Sequence, residues 1–120
     1  MVALDLDPQY PMLHGEQMGK RVRSYPMAGI KSAFAEPAAL NRTKVALLGA
    51  AALGMDAAAV VAVIQGLGAG DFDKSATAHH DHTIWHDSYK PNVGGRILYL
   101  KFTLDDQGQL LLTSFKEATE

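Results

Sequence analysis

The hydrophobic periodicity of this 120-residue chain changes once, and the change divides the sequence into two parts. From about residue 27 to residue 65, apolar residues recur at helical spacing, whereas from Phe72 onward they alternate with polar residues. Alternation with a period of two is typical of a strand that buries one face. Helices followed by consecutive strands predict an α+β domain, in which the helices pack on an antiparallel sheet.

Three helices are predicted in the first part. Their bounds are Pro26 to just before Pro37, about Thr43 to Leu53, and Ala57 to about Gln65. Gly54 stands where a C-terminal cap belongs, and Asp56 is the expected N-cap of the third helix. Val60, Val61 and Ile64 form an apolar stripe at helical spacing, which indicates core packing.

Four strands are predicted in the second part, at residues 72–79, 83–89, 96–104 and 109–116. The first two are joined by a turn at His80-Asp81, and the next connection is a loop from Pro91 to Gly95. The residues from Asp105 to Gly108 give a strong hairpin signal. We therefore expect a four-stranded antiparallel meander.

The last hairpin predicts which side chains share a face of the sheet. A four-residue loop would pair Leu104 with Gln109 and Tyr99 with Ser114. One face would then carry Tyr99, Lys101, Ser114 and Lys116, and the other Leu98, Leu100, Phe102, Leu111 and Phe115. The first hairpin leaves two alternatives, because a three-residue loop places Lys74 on the face of His86 and a two-residue loop separates them.

Composition and charge restrict the class of protein. The net charge is −2, which argues weakly against a non-specific nucleic-acid binder. Residues 1–17 carry −3 from their three acidic residues, so the rest of the chain carries +1. We predict a disordered or loosely packed extension at 1–17 and a single domain at 18–120. Because the chain has no cysteine, no long apolar run and no signal-peptide pattern, we expect a soluble cytoplasmic protein.

Four motifs occur in an order that resembles one known family. They are DFDKS (71–75), DHTIWHDSYKP (81–91), YLKFT (99–103) and SFKE (114–117). The chain is similar in these motifs, and back to about Met18, to the motility quorum-sensing regulator (MqsR) toxins of type II toxin-antitoxin systems. The resemblance implies a RelE-like fold, with N-terminal helices packed on a four-stranded antiparallel sheet.

The resemblance also implies an activity and a partner. The expected activity is a ribosome-independent endoribonuclease that needs no metal or other cofactor. It would cut mRNA, with a preference for GC-containing triplets, and so inhibit translation and growth. The expected partner is a cognate antitoxin with zinc-binding and helix-turn-helix DNA-binding regions.

The catalytic set that the resemblance implies falls on Lys74, His86, Tyr99 and Lys116. The family commonly has glutamine where this chain has His86. Three further basic residues are predicted to contact the RNA backbone: Lys90, Arg96 and Lys101.

The chemistry of RNA cleavage suits these residue types. It needs a base for the 2′-hydroxyl proton, an acid for the leaving 5′-oxygen, and cations beside the phosphorane. Histidine has an ordinary pKa of about 6.5, which fits His86 for either proton role near neutrality. Lysine and tyrosine titrate near 10, so Lys74 and Lys116 are expected to bind the phosphate and Tyr99 to donate a proton or position the substrate.

The segment HHDHTIWHD (79–87) holds four of the five histidines and offers an alternative chemistry. His80, His82 and His86 have equal parity, as a zinc or nickel site on an unbroken strand would require. The predicted turn at residues 80–81 interrupts that strand, so we expect no metal site. The second hypothesis is a degenerate toxin that binds antitoxin or RNA without turnover, and a metal-dependent hydrolase ranks last.

Overall fold

The computed structural model describes residues 12–13, 17–78 and 80–119. Within these ranges, three α-helices precede the long strands, which confirms the predicted α+β class. The helices are α1 (Met27–Ala33), α2 (Lys44–Ala52) and α3 (Ala57–Gln65), with short 3-10 turns at Pro37–Ala39 and Ala69–Asp71. The predicted bounds of the second and third helices are correct to within one residue.

Capping residues fix both ends of α2 and the start of α3, and two of them, Gly54 and Asp56, were predicted. Thr43 Oγ1 accepts a hydrogen bond from the backbone N–H of Ala46 at 3.1 Å, so Thr43 is the N-cap of α2. Asp56 Oδ1 accepts from the N–H of Ala59 at 2.9 Å and caps α3 as predicted. Gly54 follows α2 with a φ of 73°, a conformation that favours glycine, so its predicted capping position is confirmed.

The described strands form a mainly antiparallel sheet. They are β1 (Met12–Leu13), β2 (Gln17–Lys20), β3 (Phe72–Thr77), β4 (Trp85–Tyr89), β5 (Asn92–Val93), β6 (Arg96–Leu104) and β7 (Leu110–Glu117). The order is β1-β2-β3-β4-β6, with β5 and β7 both paired to β6. The four predicted strands correspond to β3, β4, β6 and β7, and β2 extends the sheet beyond β3.

Two predicted connections differ from the observed ones. The loop expected from Pro91 to Gly95 contains β5, which turns through Gly94 and Gly95 into β6. Both glycines have positive φ, 62° and 90°, as a two-residue hairpin turn requires. The connection between β3 and β4 is longer than the predicted turn at residues 80–81: β3 ends at residue 77 and β4 begins at Trp85.

The hydrophobic core lies between the helices and one face of the sheet. Ile30 and Phe34 of α1 are fully buried, and the Phe34 ring lies 5.4 Å from that of Phe102. The core also includes residues from the other helices and strands: Ala46, Ala50, Val60, Ile64, Leu67, Tyr89, Leu98, Leu100, Leu112 and Phe115. The helices therefore cover one face of the sheet and leave the opposite face free for polar side chains.

The register of the last hairpin differs from the predicted one. Leu104 pairs with Leu110, and a bulge between Lys101 and Phe102 adds a second shift of one residue. On the loop side of the bulge, Phe102 pairs with Leu112, so the buried leucine is Leu112 and the prediction of Leu111 was wrong. The loop between the paired residues Leu104 and Leu110 has five residues, one more than predicted, and Asp105 Oδ1 organises it by accepting hydrogen bonds from the N–H groups of residues 107 and 109, each at 2.9 Å.

Alanine substitutions at two adjacent leucines test this register. Leu112→Ala is expected to lower the free energy of unfolding by about 2–5 kcal/mol, because the side chain is fully buried. Leu111→Ala, at a half-buried position of the same strand, is expected to cost less than about 1 kcal/mol. Urea unfolding followed by circular dichroism measures both, and a larger loss at Leu111 would restore the register that the four-residue loop predicts.

Most of the predicted extension, residues 1–11 and 14–16, lies outside the described residues. The two described pieces belong to β1 and β2, which pair with each other. The extension therefore stays a prediction.

No single described helix is long and apolar enough to cross a membrane. The helices α2 and α3 reach that length and composition only as a pair, and they meet at 95°.

Candidate active site

The face of the sheet opposite the helices carries a straight row of polar residues. Lys74 of β3 pairs with Ser88 of β4, Ser88 pairs with Lys101 of β6, and Lys101 pairs with Ser114 of β7. Directly paired residues of antiparallel strands project to the same face. We call these four residues the central row.

The other predicted catalytic residues lie on either side of the central row. His86 is two positions before Ser88 on β4, so it shares the face on one side. Tyr99 pairs directly with Lys116 on the other side. The register is shifted by one residue at the loop and by one more at the bulge, so Tyr99 pairs with Lys116 and not with Ser114. Because a shift of two residues leaves the faces of a strand unchanged, the predicted shared face is confirmed. It carries Tyr99, Lys101, Ser114 and Lys116.

The register also decides between the two alternatives for the first hairpin. Ala76 pairs with His86 and Lys74 pairs with Ser88, so Lys74 and His86 share a face. A bulge between Phe72 and Lys74 places Asp73 as an extra residue beside this face. The four residues of the predicted catalytic set are therefore brought to one surface of the sheet.

A cavity of about 290 Å³ opens on the Tyr99 side of the central row. Its lining residues are Lys90, Tyr99, Lys101, Ser114, Lys116, Ala118 and Thr119. Lys116 Nζ lies 5.6 Å from the centroid of the Tyr99 ring. Lys74 and His86 are outside this lining, so the cavity forms only one part of the candidate site.

His86 is held in its neutral form by its surroundings. The imidazole is half-buried, and burial lowers its pKa below the ordinary 6.5. The ammonium of Lys101, and to a smaller extent His80, lower the pKa further by like-charge repulsion. His86 Nδ1 is buried and has no hydrogen-bond partner among the described residues. At neutral pH the imidazole therefore retains a nitrogen that accepts a proton.

Tyr99 is held in its protonated form. Burial raises the pKa of its phenol above 10, a hydrogen bond with the Ser88 hydroxyl lowers it by less, and the carboxylate of Asp73 adds a still smaller rise. Ser88 is buried, and its Oγ donates to Asp73 Oδ2 and to the carbonyl of Lys74, each at 3.2 Å. Tyr99 can thus donate a proton at neutral pH while His86 accepts one.

The basic residues of the site differ in their surroundings. Lys74 and Lys116 are exposed on the shared face. Lys101 is half-buried, and burial followed by repulsion from Lys116 lowers its pKa. Lys90 Nζ lies 4.0 Å from the carboxylate of Asp73, the one ion pair within the described ranges.

Arg96 does not join the other predicted RNA contacts. It pairs with Val93 at the start of β6, and it has the parity of Leu98, a core residue. Strand alternation therefore places it toward the helix-bearing face, away from Lys101. Four lysines lie on the candidate face or line its cavity: Lys74, Lys90, Lys101 and Lys116.

Sequence reasoning missed the contribution of Ser88 and Asp73. Ser88 has the parity of His86 on the same strand, so its place on the face was available from alternation alone. The bulge that brings Asp73 beside Ser88 has no marker in the sequence. Both residues act on Tyr99, through the Ser88 hydroxyl and the Asp73 charge.

The histidine cluster does not form a metal site in the part of the chain that the structure describes. No group of three or more histidine, cysteine, aspartate or glutamate side chains is placed to hold an ion there. His80 and His82 are exposed in the connection before β4, and Asp81 organises that connection by accepting hydrogen bonds from Thr83. His79 lies outside the described residues.

Comparisons with known proteins identify the family of this chain. The family described as "Motility quorum-sensing regulator, toxin of MqsA" matches residues 23–117, which include the whole candidate face. The mRNA interferase toxin MqsR of Escherichia coli (strain K12) is 44% identical over 78 residues, which are 65% of this chain and 78% of that protein. The chain therefore belongs to the motility quorum-sensing regulator toxin family.

Proposed function

We propose that this protein is an mRNA interferase, a ribosome-independent endoribonuclease that cuts mRNA without a metal ion and so inhibits translation and growth. The observation that carries the proposal is the register that brings Lys74, His86, Tyr99 and Lys116 to one face. Family membership and the name of the E. coli relative support it. The α+β order of helices before an antiparallel sheet supports a RelE-like arrangement.

The positions of His86 and Tyr99 suit an in-line displacement. They lie on opposite sides of the central row, four residues apart along the strands, which is about 13 Å between backbone positions. We propose that the two side chains extend toward each other over the central row, so that a phosphate bound there lies between a base and an acid. In-line attack needs the entering and leaving oxygens on opposite sides of phosphorus.

In the proposed mechanism, neutral His86 removes the proton from the 2′-hydroxyl, whose oxygen attacks the adjacent phosphorus. The bond from phosphorus to the 5′-oxygen then breaks, and Tyr99 donates its proton to that oxygen. The products are a 2′,3′-cyclic phosphate and a free 5′-hydroxyl, and a proton returns from His86 to Tyr99 through solvent. Lys74 and Lys116 hold the phosphate and its neighbours by charge.

The remaining basic residues are proposed to hold the RNA strand. Lys90 and Lys101 line the cavity next to Tyr99, where their ammonium groups are placed to contact the phosphates of a bound strand. Arg96 is a weaker candidate, because alternation places it toward the other face.

The proposed partner is a cognate antitoxin with zinc-binding and helix-turn-helix DNA-binding regions, and the proposed site of action is the cytoplasm. The support is family membership, since the family is described as the toxin of MqsA. Such a pairing would keep the toxin inactive until the antitoxin is lost.

Incubation with RNA in EDTA tests the proposed function. We expect the purified protein to cut a single-stranded RNA that contains every trinucleotide, with EDTA present throughout, and to leave 2′,3′-cyclic phosphate ends. The control is the same RNA with a 2′-deoxy residue at a mapped site, which should not be cut there because the nucleophile is missing. Cleavage that requires added metal would favour a hydrolase that uses the histidines, and binding without cleavage would favour a non-catalytic module.

A further inference from the structure

We propose that Lys101 is a further catalytic residue, whose ammonium group binds the non-bridging oxygens of the scissile phosphate and stabilises the charge that they gain during cleavage. This inference rests on the proposed function. It differs from a general RNA-backbone contact, because a group that acts at the reacting phosphate changes the rate of the chemical step.

The first argument is position. Lys101 lies between Ser88 and Ser114 in the central row, with Tyr99 two residues before it on the same strand. His86 and Lys116 are its diagonal neighbours on the adjacent strands, at roughly 7–8 Å between Cα atoms. No other described residue of this face adjoins the proposed base, the proposed acid and Lys116 together. Lys74, for comparison, is two strands away, which is roughly 10 Å.

The second argument is space. On β7, Lys101 is flanked by Ser114, whose small side chain leaves room beside the ammonium, while Ser88 on β4 is buried. Lys101 and Ser114 both line the cavity of about 290 Å³. A phosphate that binds between His86 and Tyr99 would therefore contact the Lys101 ammonium on its sheet-facing side.

The third argument is an unbalanced charge. The Lys101 side chain is half-buried, and within the described ranges the one ion pair joins Lys90 to Asp73. The charged neighbour that acts most on Lys101 is another cation, Lys116. Two ammonium groups beside one cavity repel each other, and an anion that binds between them removes that repulsion. A phosphodiester supplies that charge.

Lys101 also acts on the proposed base. The charged and titratable groups around His86 are Lys101 from β6, His80 from the preceding connection, and Lys74 on the same face of β3. Of these, Lys101 contributes most to the electrostatic lowering of the His86 pKa. Loss of its charge should therefore change the pH profile of cleavage as well as its rate, which a purely structural role would not do.

The test compares Lys101→Met with Lys101→Arg and with Lys44→Met, a matched variant of an exposed lysine at the start of α2. The substrate is an oligonucleotide centred on a site mapped with the wild-type protein. Single-turnover rates are measured at saturating RNA, and the dissociation constant is measured with the 2′-deoxy version, which binds without being cut. Circular dichroism and thermal unfolding establish that each variant is folded.

We expect Lys101→Met to lower the saturating rate by about 10²- to 10³-fold and to weaken binding by less than about 5-fold, as loss of a single phosphate contact implies. The acidic limb of its pH profile should move to higher pH, because the His86 pKa rises when the neighbouring charge is removed. Lys101→Arg should recover much of the rate, and Lys44→Met should match the wild type.

Two results would overturn the inference while leaving the proposed function intact. One is a wild-type saturating rate for Lys101→Met with weaker binding, which would make Lys101 a backbone contact. The other is an equal loss of rate in Lys101→Met and Lys101→Arg with an unchanged pH profile, which would indicate a packing role. Absence of cleavage by the wild-type protein would instead refute the proposed function.

Discussion

Replacement of His86 by alanine is expected to lower the single-turnover rate of RNA cleavage by about 10²- to 10⁴-fold, the usual contribution of one general base. The imidazole is neutral at pH 7 because burial and Lys101 lower its pKa, and its buried Nδ1 has no partner among the described residues. The side chain is only half-buried, so the variant should remain folded. Cleavage of a mapped RNA oligonucleotide measures the loss.

The pH profile gives a second readout of the same assignment. A base must be deprotonated to act, so the wild-type rate should rise with pH through a midpoint below 6.5, the direction in which the His86 pKa is shifted. It should then remain level across neutrality, because the Tyr99 pKa is raised and the phenol keeps its proton. A midpoint above 6.5 would contradict the surroundings described for His86.

His86→Gln is the matched variant, since glutamine is the residue that the resemblance leads one to expect at this position. Glutamine retains hydrogen bonding but takes up no proton near neutral pH. We expect it to cut as slowly as His86→Ala and to lose the acidic limb of the profile. A glutamine variant with the wild-type rate would show that His86 positions the substrate and that another group is the base.

The helices could be predicted from the sequence because their signals are local. The capping roles of Asp56 and Gly54 depend on residues only a few positions away in the chain. Strand parity is equally local, which is why the shared face of Tyr99, Lys101, Ser114 and Lys116 was predicted correctly. Local patterns thus define the elements and the faces of each strand.

The arrangement of the site depends on features that are not local. The loop after Leu104 is one residue longer than predicted and exchanges Leu111 for Leu112 in the core, and the bulge at Lys101 and Phe102 that follows has no marker in the sequence. The strand β5 lies between β4 and β6 in the sequence, so the register of β4 against β6 is not set by a direct hairpin turn. Alternation alone therefore could not place Lys101 opposite Ser88. The central position of Lys101 follows from that pairing, and for this reason the sequence indicated only a backbone contact.

Asp87 was part of the motif that revealed the family, yet its structural role was not predicted. It is fully buried on β4, on the face opposite His86. Its Oδ2 accepts hydrogen bonds from the backbone N–H groups of Ser24 at 2.8 Å and Tyr25 at 2.9 Å. These residues lead into α1, so Asp87 joins the start of the helical layer to the sheet.

Replacement of Asp87 by alanine is therefore expected to lower the free energy of unfolding by about 2–4 kcal/mol. A hydrogen bond to a charged group contributes about 1.5–3 kcal/mol, and the truncation leaves the N–H groups of Ser24 and Tyr25 without their acceptor. Urea unfolding of the full chain measures the change. Because α1 supplies Ile30 and Phe34 to the core, the loss should appear in the global transition and not as local fraying.

Two further substitutions define what Asp87 contributes. Asp87→Asn keeps the shape and one carbonyl acceptor, so it should cost less than the alanine variant, while Asp106→Asn in the exposed β6–β7 turn should stay within about 0.5 kcal/mol of the wild type. Alanine at residue 87 with wild-type stability would mean that α1 does not depend on this carboxylate. Since the side chain lies on the helix-bearing face, folded Asp87→Asn should retain the wild-type rate of cleavage, which separates a defect in folding from a defect in the site.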